Sequence, residues 1–395
     1  MRILIIHNEY QNRGGEDTVV AAEAGLLRSA GHEVHVEIVS NKQIRDKSEK
    51  IRTFLRTPYD PNRKEWMETI LDSTKFDVVH IHNFFPLLTP AIHEAAAQRG
   101  VAVVQTLHNY RLLCAGALFL RDGEVCEKCL GGTNLWGVVH RCYRGSTLAS
   151  LAVVRLQQRA KRHRTWHRHV HRFIALTEFA RDKFVTGGLP AGRVAVKPNF
   201  ADQFISPERE RRGALFVGRL SPEKGVKYLI EAWAELPGIP LTIVGDGPER
   251  AQLEQIAPKN VRFLGSLAGD QVRNAMAEAQ ALIMPSVWYE GFPMTLVEAF
   301  SASTPVIASR LGSLAELVKE GVTGLTFEPG NAQNLSKVAR QAFSRPGQLE
   351  KMGKAAFEAY RTRYTPQANL GQLEAIYSDA IAAAKKSDIN RPASQ

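Results

Sequence analysis

The chain has 395 residues, 44% of them hydrophobic, with 51 Lys and Arg against 40 Asp and Glu and only four cysteines. That length exceeds one ordinary core and calls for two or more domains, while no apolar run is long enough to span a bilayer, which excludes an integral membrane protein built on helical spans. The net charge of +11 is uneven: residues 1–200 hold 29 Lys and Arg, 19 Asp and Glu and all 12 histidines, so the first half is a basic module expected to meet an anionic partner such as a membrane surface, a phosphorylated acceptor or nucleic acid.

Residues 1–10 carry one basic side chain and no small-residue cleavage site, so they read as the first strand, over 2–7, of a cytoplasmic protein. A loop with Gly14 and Gly15 leads into a helix over 18–29, ended by Gly31, and a strand over 33–38. Residues 41–75 are charged and helical in tone, with mobility expected near Pro58 and Pro61. Residues 78–81 and 101–107 are unbroken apolar runs, as expected of parallel strands covered on both faces, and the alternation of strand and helix is that of a doubly wound α/β sheet. His108 and Asn109 follow at a strand's carboxyl end, where such sheets bind ligands; an imidazole there suits a hydroxyl. As an isolated residue it would read as a satisfied polar group.

The four cysteines, Cys114, Cys126, Cys129 and Cys142, follow the pattern C-x11-C-x2-C-x12-C. They could supply four thiolates to a structural zinc that staples a long insertion; the competing reading is four unconnected buried thiols. Residues 155–172, RLQQRAKRHRTWHRHVHR, contain seven Lys or Arg, four His and no acid. With apolar residues 151–154 before it, this reads as one helix with a cationic continuation, suited to anionic lipid headgroups with Trp166 near the interface. A solvated helix face is the alternative. No aromatic platform or reading helix favours nucleic acid. Strands over 173–176 and 194–197 complete a first domain, residues 1–200.

Residues 201–213, with Pro207 and a charged run, form a linker. The alternation then restarts. A strand over 214–217 opens into GRLSPEKG, with Arg219 and Lys224, and one over 241–244 opens into GDGPE at Gly245. Arg holds two phosphate oxygens in a fork and Lys acts as a point charge, so this loop suits a diphosphate. No G-x-G-x-x-G follows a strand, which disfavours a nicotinamide enzyme. A strand over 281–284 leads into PSVWYEGFPMTLVE and a helix over 294–302. The unpaired N–H groups at that helix start favour an anion, and Glu290 and Glu298 flank the turn. Acids set beside a phosphate site fit the hydroxyls of a nucleotide sugar. A strand over 304–309, a short helix over 312–318 and a hairpin over 321–330 close a second domain, residues 214–366. A last helix, 367–385, and a disordered tail, 386–395, follow.

The Glu290 turn resembles the E-x7-E signature of retaining glycosyltransferase family 4, in sequences of the bacterial surface-polysaccharide type, and residues 218–225 resemble that family's GRL-xxx-KG element. The resemblance implies the GT-B fold, two Rossmann-like domains facing a cleft, with the last helix crossing back to the first domain. It implies that Glu298 holds the ribose hydroxyls and that Glu290 and His108 contact the transferred sugar. Arg219 and Lys224 would hold the diphosphate, and Gly14, Gly15, Gly245, Gly291, Phe292, Met294 and Thr295 would line the donor site. The implied activity is hexosyl transfer, with retention, from a UDP- or GDP-sugar to a saccharide or lipid-linked acceptor, by a cytoplasmic or peripheral membrane enzyme. With no D-x-D pair in the chain, transfer without a metal cofactor is expected. Pro198-Asn199-Phe200 departs from the family, which commonly has glycine after the asparagine. A nucleotide-sugar epimerase or a phosphorylase on the same fold, and a non-catalytic nucleotide-sugar-binding subunit, are the alternatives.

Overall fold

A parallel strand needs cover on both faces, and the four strands over 78–83, 102–107, 281–284 and 306–309 are buried residue after residue. The computed structural model describes residues 1–11, 14–204 and 210–389. Its strands are β1 (Arg2–Glu9), β2 (Glu33–Ser40), β3 (Val78–Asn83), β4 (Ala102–Leu107), β5 (Leu120–Arg121), β6 (Glu124–Val125), β7 (Arg172–Ala175), β8 (Val194–Val196), β9 (Ala214–Val217), β10 (Leu241–Val244), β11 (Val261–Gly265), β12 (Ala281–Met284), β13 (Val306–Ser309) and β14 (Gly324–Phe327). They fall into two units: residues 1–118, 127–197 and from 370 onward form the first, residues 119–126 and 198–369 the second.

The first unit holds a sheet ordered β2-β1-β3-β4-β7-β8, the second a sheet ordered β11-β10-β9-β12-β13-β14, and every pairing in both is parallel. The second order is the Rossmann order, whose reversal lies between β9 and β12, where ligands bind beyond the carboxyl ends of the strands. Alternation along each strand divides the core. Phe216, Ile243, Ile283 and Ile307 pack with Trp233 on one face; Leu215, Leu282, Val306 and Ala308 pack with Val297, Phe300 and Tyr360 on the other. The helix Pro366–Ile389 places Leu373 and Tyr377 in the core of the first unit.

Several expectations change. The segment 321–330 is no hairpin: β14 adds parallel to β13, with Ile307 opposite Leu325. Gly324 sits so close to the Val306 carbonyl oxygen that a Cβ would overlap it. Residues 155–172 are not one helix. The helix Thr147–Arg162 stops, Arg164 takes the left-handed conformation (φ 52°), and a short helix Thr165–His169 runs on before β7. That turn buries Trp166 against Phe84 and His93, with ring centroids at 5.6 and 5.3 Å, so Trp166 is not an interfacial anchor. Residues 41–75 hold two α-helices, Lys47–Arg56 and Pro61–Ser73, whose first turns are capped by Asp46 and Asp60. Residues 205–209 of the linker and 390–395 of the tail lie outside the described residues.

Candidate active site

In the second unit three loops converge at the carboxyl ends of β9, β10 and β12, and glycine makes this possible. Gly245 (φ +133°) presses against the Gly218 carbonyl, Gly247 against that of Leu220, and Gly225 (φ +67°) against that of Pro285; a Cβ at any of the three would overlap backbone oxygen. Backbone hydrogen bonds fasten the same contacts: Leu220 N–H donates to Asp246 O at 2.9 Å and Val287 N–H to Glu223 O at 3.0 Å.

On this frame Lys224 Nζ lies 2.8 Å from Glu290 Oε1, and Ser286 Oγ donates to the same oxygen at 2.6 Å. Glu290 is buried, and the Lys224 ammonium also lies 5.6 Å from the Trp288 ring centroid. Trp288 Nε1 is a buried donor with no hydrogen-bond partner among the described residues. Arg219 stands exposed just beyond β9. The helix Met294–Ser301 begins at Pro293 without a side-chain cap, leaving the N–H groups of Met294 and Thr295 open. Glu298, inside this helix, is half-buried; burial raises its carboxyl above the usual range and Arg273 opposes that. Gly291 and Phe292 complete the turn, Phe292 facing Tyr364 at 6.2 Å. The predicted donor residues Arg219, Lys224, Gly245, Glu290 and Glu298 thus belong to one sheet edge, and Ser286 and Trp288 are additions that the sequence reading missed. Their signal was place alone, in the loop that carries Glu290.

In the first unit the Gly14 N–H is already taken, donating to Asp17 Oδ2 at 2.6 Å, while Asp17 Oδ1 accepts from His7 Nε2 at 2.7 Å. Gly14 therefore caps its own helix, Gly15–Ser29, rather than offering that N–H to a phosphate. Glu16 accepts from Asn109 Nδ2 at 2.8 Å and bonds Tyr10; burial pushes its carboxyl up to about 7, against the pull of those hydrogen bonds. His108, half-buried at the end of β4, contacts His82 Nδ1 through Nε2 at 3.0 Å. Burial pushes its imidazole down to about 3, so it is neutral at ordinary pH.

Cys114, Cys129 and Cys142 belong to the first unit and Cys126 to the second. Among the described residues, the one group of three potential metal-ligand atoms within 4.8 Å of one another is Glu23, His80 and His82. There the cationic role is filled by Lys197, whose Nζ lies 2.6 Å from Glu23 Oε1, and both His80 ring nitrogens are engaged, by Tyr377 Oη and Thr106 Oγ1, each at 2.7 Å.

Residues 13–203 match the family described as Glycosyltransferase Family 4, and residues 199–359 match Glycosyl transferases group 1. The chain is 26% identical over 280 residues to an uncharacterised glycosyltransferase of Methanocaldococcus jannaschii, covering 68% of this chain and 66% of that one. It is 28% identical over 231 residues to an alpha-D-kanosaminyltransferase of Streptomyces kanamyceticus, covering 52% and 60%. It thus spans less than two thirds of the length of either relative. In fold it is similar to Anabaena HepE in complex with UDP (TM-score 0.69, 20% identity, 96% of this chain and 100% of that one). The sucrose-phosphate synthase of Thermosynechococcus elongatus is similar as well (TM-score 0.70, 17% identity, 97% and 100%). The matched domains run almost end to end on two doubly wound units, and the chain belongs to the glycosyltransferases of the GT-B fold, with a family 4 domain followed by a group 1 domain.

Proposed function

We propose that the protein transfers a hexosyl-type sugar from a nucleotide diphosphate sugar to a saccharide or lipid-linked acceptor, with retention of configuration. The observation that carries this reading is the Lys224–Glu290–Ser286 cluster, set beside the uncapped helix start at Met294. As the sugar departs, negative charge grows on the diphosphate. Lys224, Arg219 and the open N–H groups of Met294 and Thr295 stabilise that charge without having to reorganise. Glu290, fixed by Ser286, receives a sugar hydroxyl, Glu298 the ribose, and His108 a further hydroxyl of the sugar. No D-x-D pair is present for a metal bridge, and the leaving phosphate deprotonates the acceptor on the same face. A role in polysaccharide or glycolipid assembly fits the basic first unit.

Calorimetry with UDP and with GDP, in EDTA, tests this. One nucleotide is expected to bind, and Glu298→Ala to weaken it by about tenfold, the worth of one good hydrogen bond to a charged group. Binding of neither nucleotide would overturn the donor site.

The lipid side of the proposal rests on a different face of the first unit. No residue of the helix Lys47–Arg56 is buried, and Ile51 and Leu55, one turn apart, are 61% and 58% exposed beside Lys47, Lys50, Arg52 and Arg56. The helix Thr147–Arg162 packs alongside, with Leu148 66% exposed and the Arg155 guanidinium 5.7 Å from the Phe54 ring centroid. Apolar side chains ringed by cations suit an anionic bilayer surface, each cation near it contributing about 1 kcal/mol. Co-sedimentation with phosphatidylglycerol-containing vesicles is expected, but not with phosphatidylcholine alone. Ile51→Glu with Leu55→Glu should reduce it about tenfold or more, and equal binding by that variant would remove this face from the proposal.

A further inference from the structure

β3 is buried along its whole length, yet it carries two histidines, His80 and His82, two residues apart and therefore on one face. Opposite them the helix Gly15–Ser29 places Glu23, itself 1% exposed. Glu23 Oε1 is held by Lys197, and burial, which alone would raise the carboxyl, is outweighed by Lys197 and His82, so Glu23 is ionised. Its other oxygen, Oε2, faces His82 Nε2 at 3.5 Å and, farther off, His80 Nδ1 at 3.9 Å, the latter already bonded to Tyr377 Oη; Glu23 Oε2 and His82 Nε2 are both buried and make no closer polar contact among the described residues.

The proton positions follow from this geometry. A carboxylate oxygen only accepts, so the His82 nitrogen that faces Glu23 must carry hydrogen. His82 is held neutral by its burial, which leaves Nδ1 bare. That bare nitrogen, 3.0 Å from His108 Nε2, accepts, so His108 carries its own hydrogen on Nε2. The neutral His108 ring then shows a lone pair at Nδ1, since its one hydrogen bond among the described residues runs through Nε2. The opposite arrangement would set the lone pair of His82 Nε2 against the Glu23 carboxylate in a site without water to separate them.

We infer that Glu23 is a positioning residue which, through His82, fixes His108 as a hydrogen-bond acceptor at Nδ1 and so selects a donor sugar that presents a hydroxyl there. This rests on the role proposed for His108 in sugar transfer. An ether or a deoxy position at that point of the sugar would leave the lone pair unmatched.

The test separates this inference from the donor reading. In the full chain labelled with 15N-histidine, long-range proton–nitrogen spectra report the tautomer of each ring, and His108→Asn identifies the His108 signals. In the wild type His108 and His82 are expected as neutral rings with hydrogen on Nε2. In the variant Glu23→Gln with Lys197→Met, which removes both buried charges together, the His108 signals should shift to a mixture of tautomers. UDP affinity, set in the second unit, should stay within twofold, and transfer should slow by about ten- to a hundredfold. Hydrogen on Nδ1 of His108 in the wild type, or an unchanged tautomer in the double variant, would overturn the inference while leaving the UDP result to judge the donor site. Should that variant fail to fold, the wild-type tautomer alone decides.

Discussion

Lys224→Met is expected to slow release of nucleoside diphosphate from the donor sugar by about 10²–10³-fold, the usual loss on removing one preorganised stabiliser of transition-state charge. The ammonium meets Glu290 Oε1 at 2.8 Å, and its side chain is 24% exposed against 5% for Glu290. Two roles fit such a pair. Lys224 could act on the diphosphate, with Glu290 holding it in place and keeping an oxygen for the sugar, or it could merely neutralise a buried carboxylate. Comparing Lys224→Met and Glu290→Gln with their combination separates the roles. If both groups touch the donor, the double variant remains as slow as the slower single one, since residues that act as a unit lose activity once. If Lys224 only neutralises Glu290, removing both charges restores most of the rate. The rates are compared at equal folded fraction, because an unpaired Glu290 also destabilises the second unit.

The donor loops were legible because strand, turn and helix each leave a local mark. The bounds read for β9, β10 and β12 coincide with those of the structure, and the glycines and cations that follow them need no distant partner to be recognised. The parallel addition of β14 was not legible. Residues 321–330 read as a hairpin from sequence, whereas the pairing choice is made by β13 and the small Gly324. Trp166 misled for a related reason. A tryptophan within a cationic run looks interfacial until a single left-handed residue, Arg164, turns it into the core. The relay behind His108 left no sequence mark at all. Its members come from residues 23, 82, 108 and 197, and the second histidine of β3 lies past the end of the apolar run 78–81 that marks the strand in the sequence.

The Glu23–Lys197 pair carries the largest expected effect on stability. Both side chains are buried, at 1% and 0% exposure, and the ions meet at 2.6 Å. Removing one partner leaves a buried charge that water cannot reach, so Glu23→Gln or Lys197→Met alone is expected to cost about 3–5 kcal/mol. The double variant buries no ion and should recover most of that loss. Urea midpoints, followed by a probe in the first unit so that the second does not obscure the transition, measure both. The pH dependence has a defined sign. The folded-state pKa of Glu23 lies below its ordinary value of 4.5, so its contribution is present above that value and is lost as the pH falls through the folded pKa. The wild type should therefore lose stability in acid more steeply than the double variant. A loss in the double variant equal to the sum of the two single losses would mean that the ions are worth no more together than apart. Lys197 would then be held by its other surroundings, and Glu23 would be free to serve His82 alone.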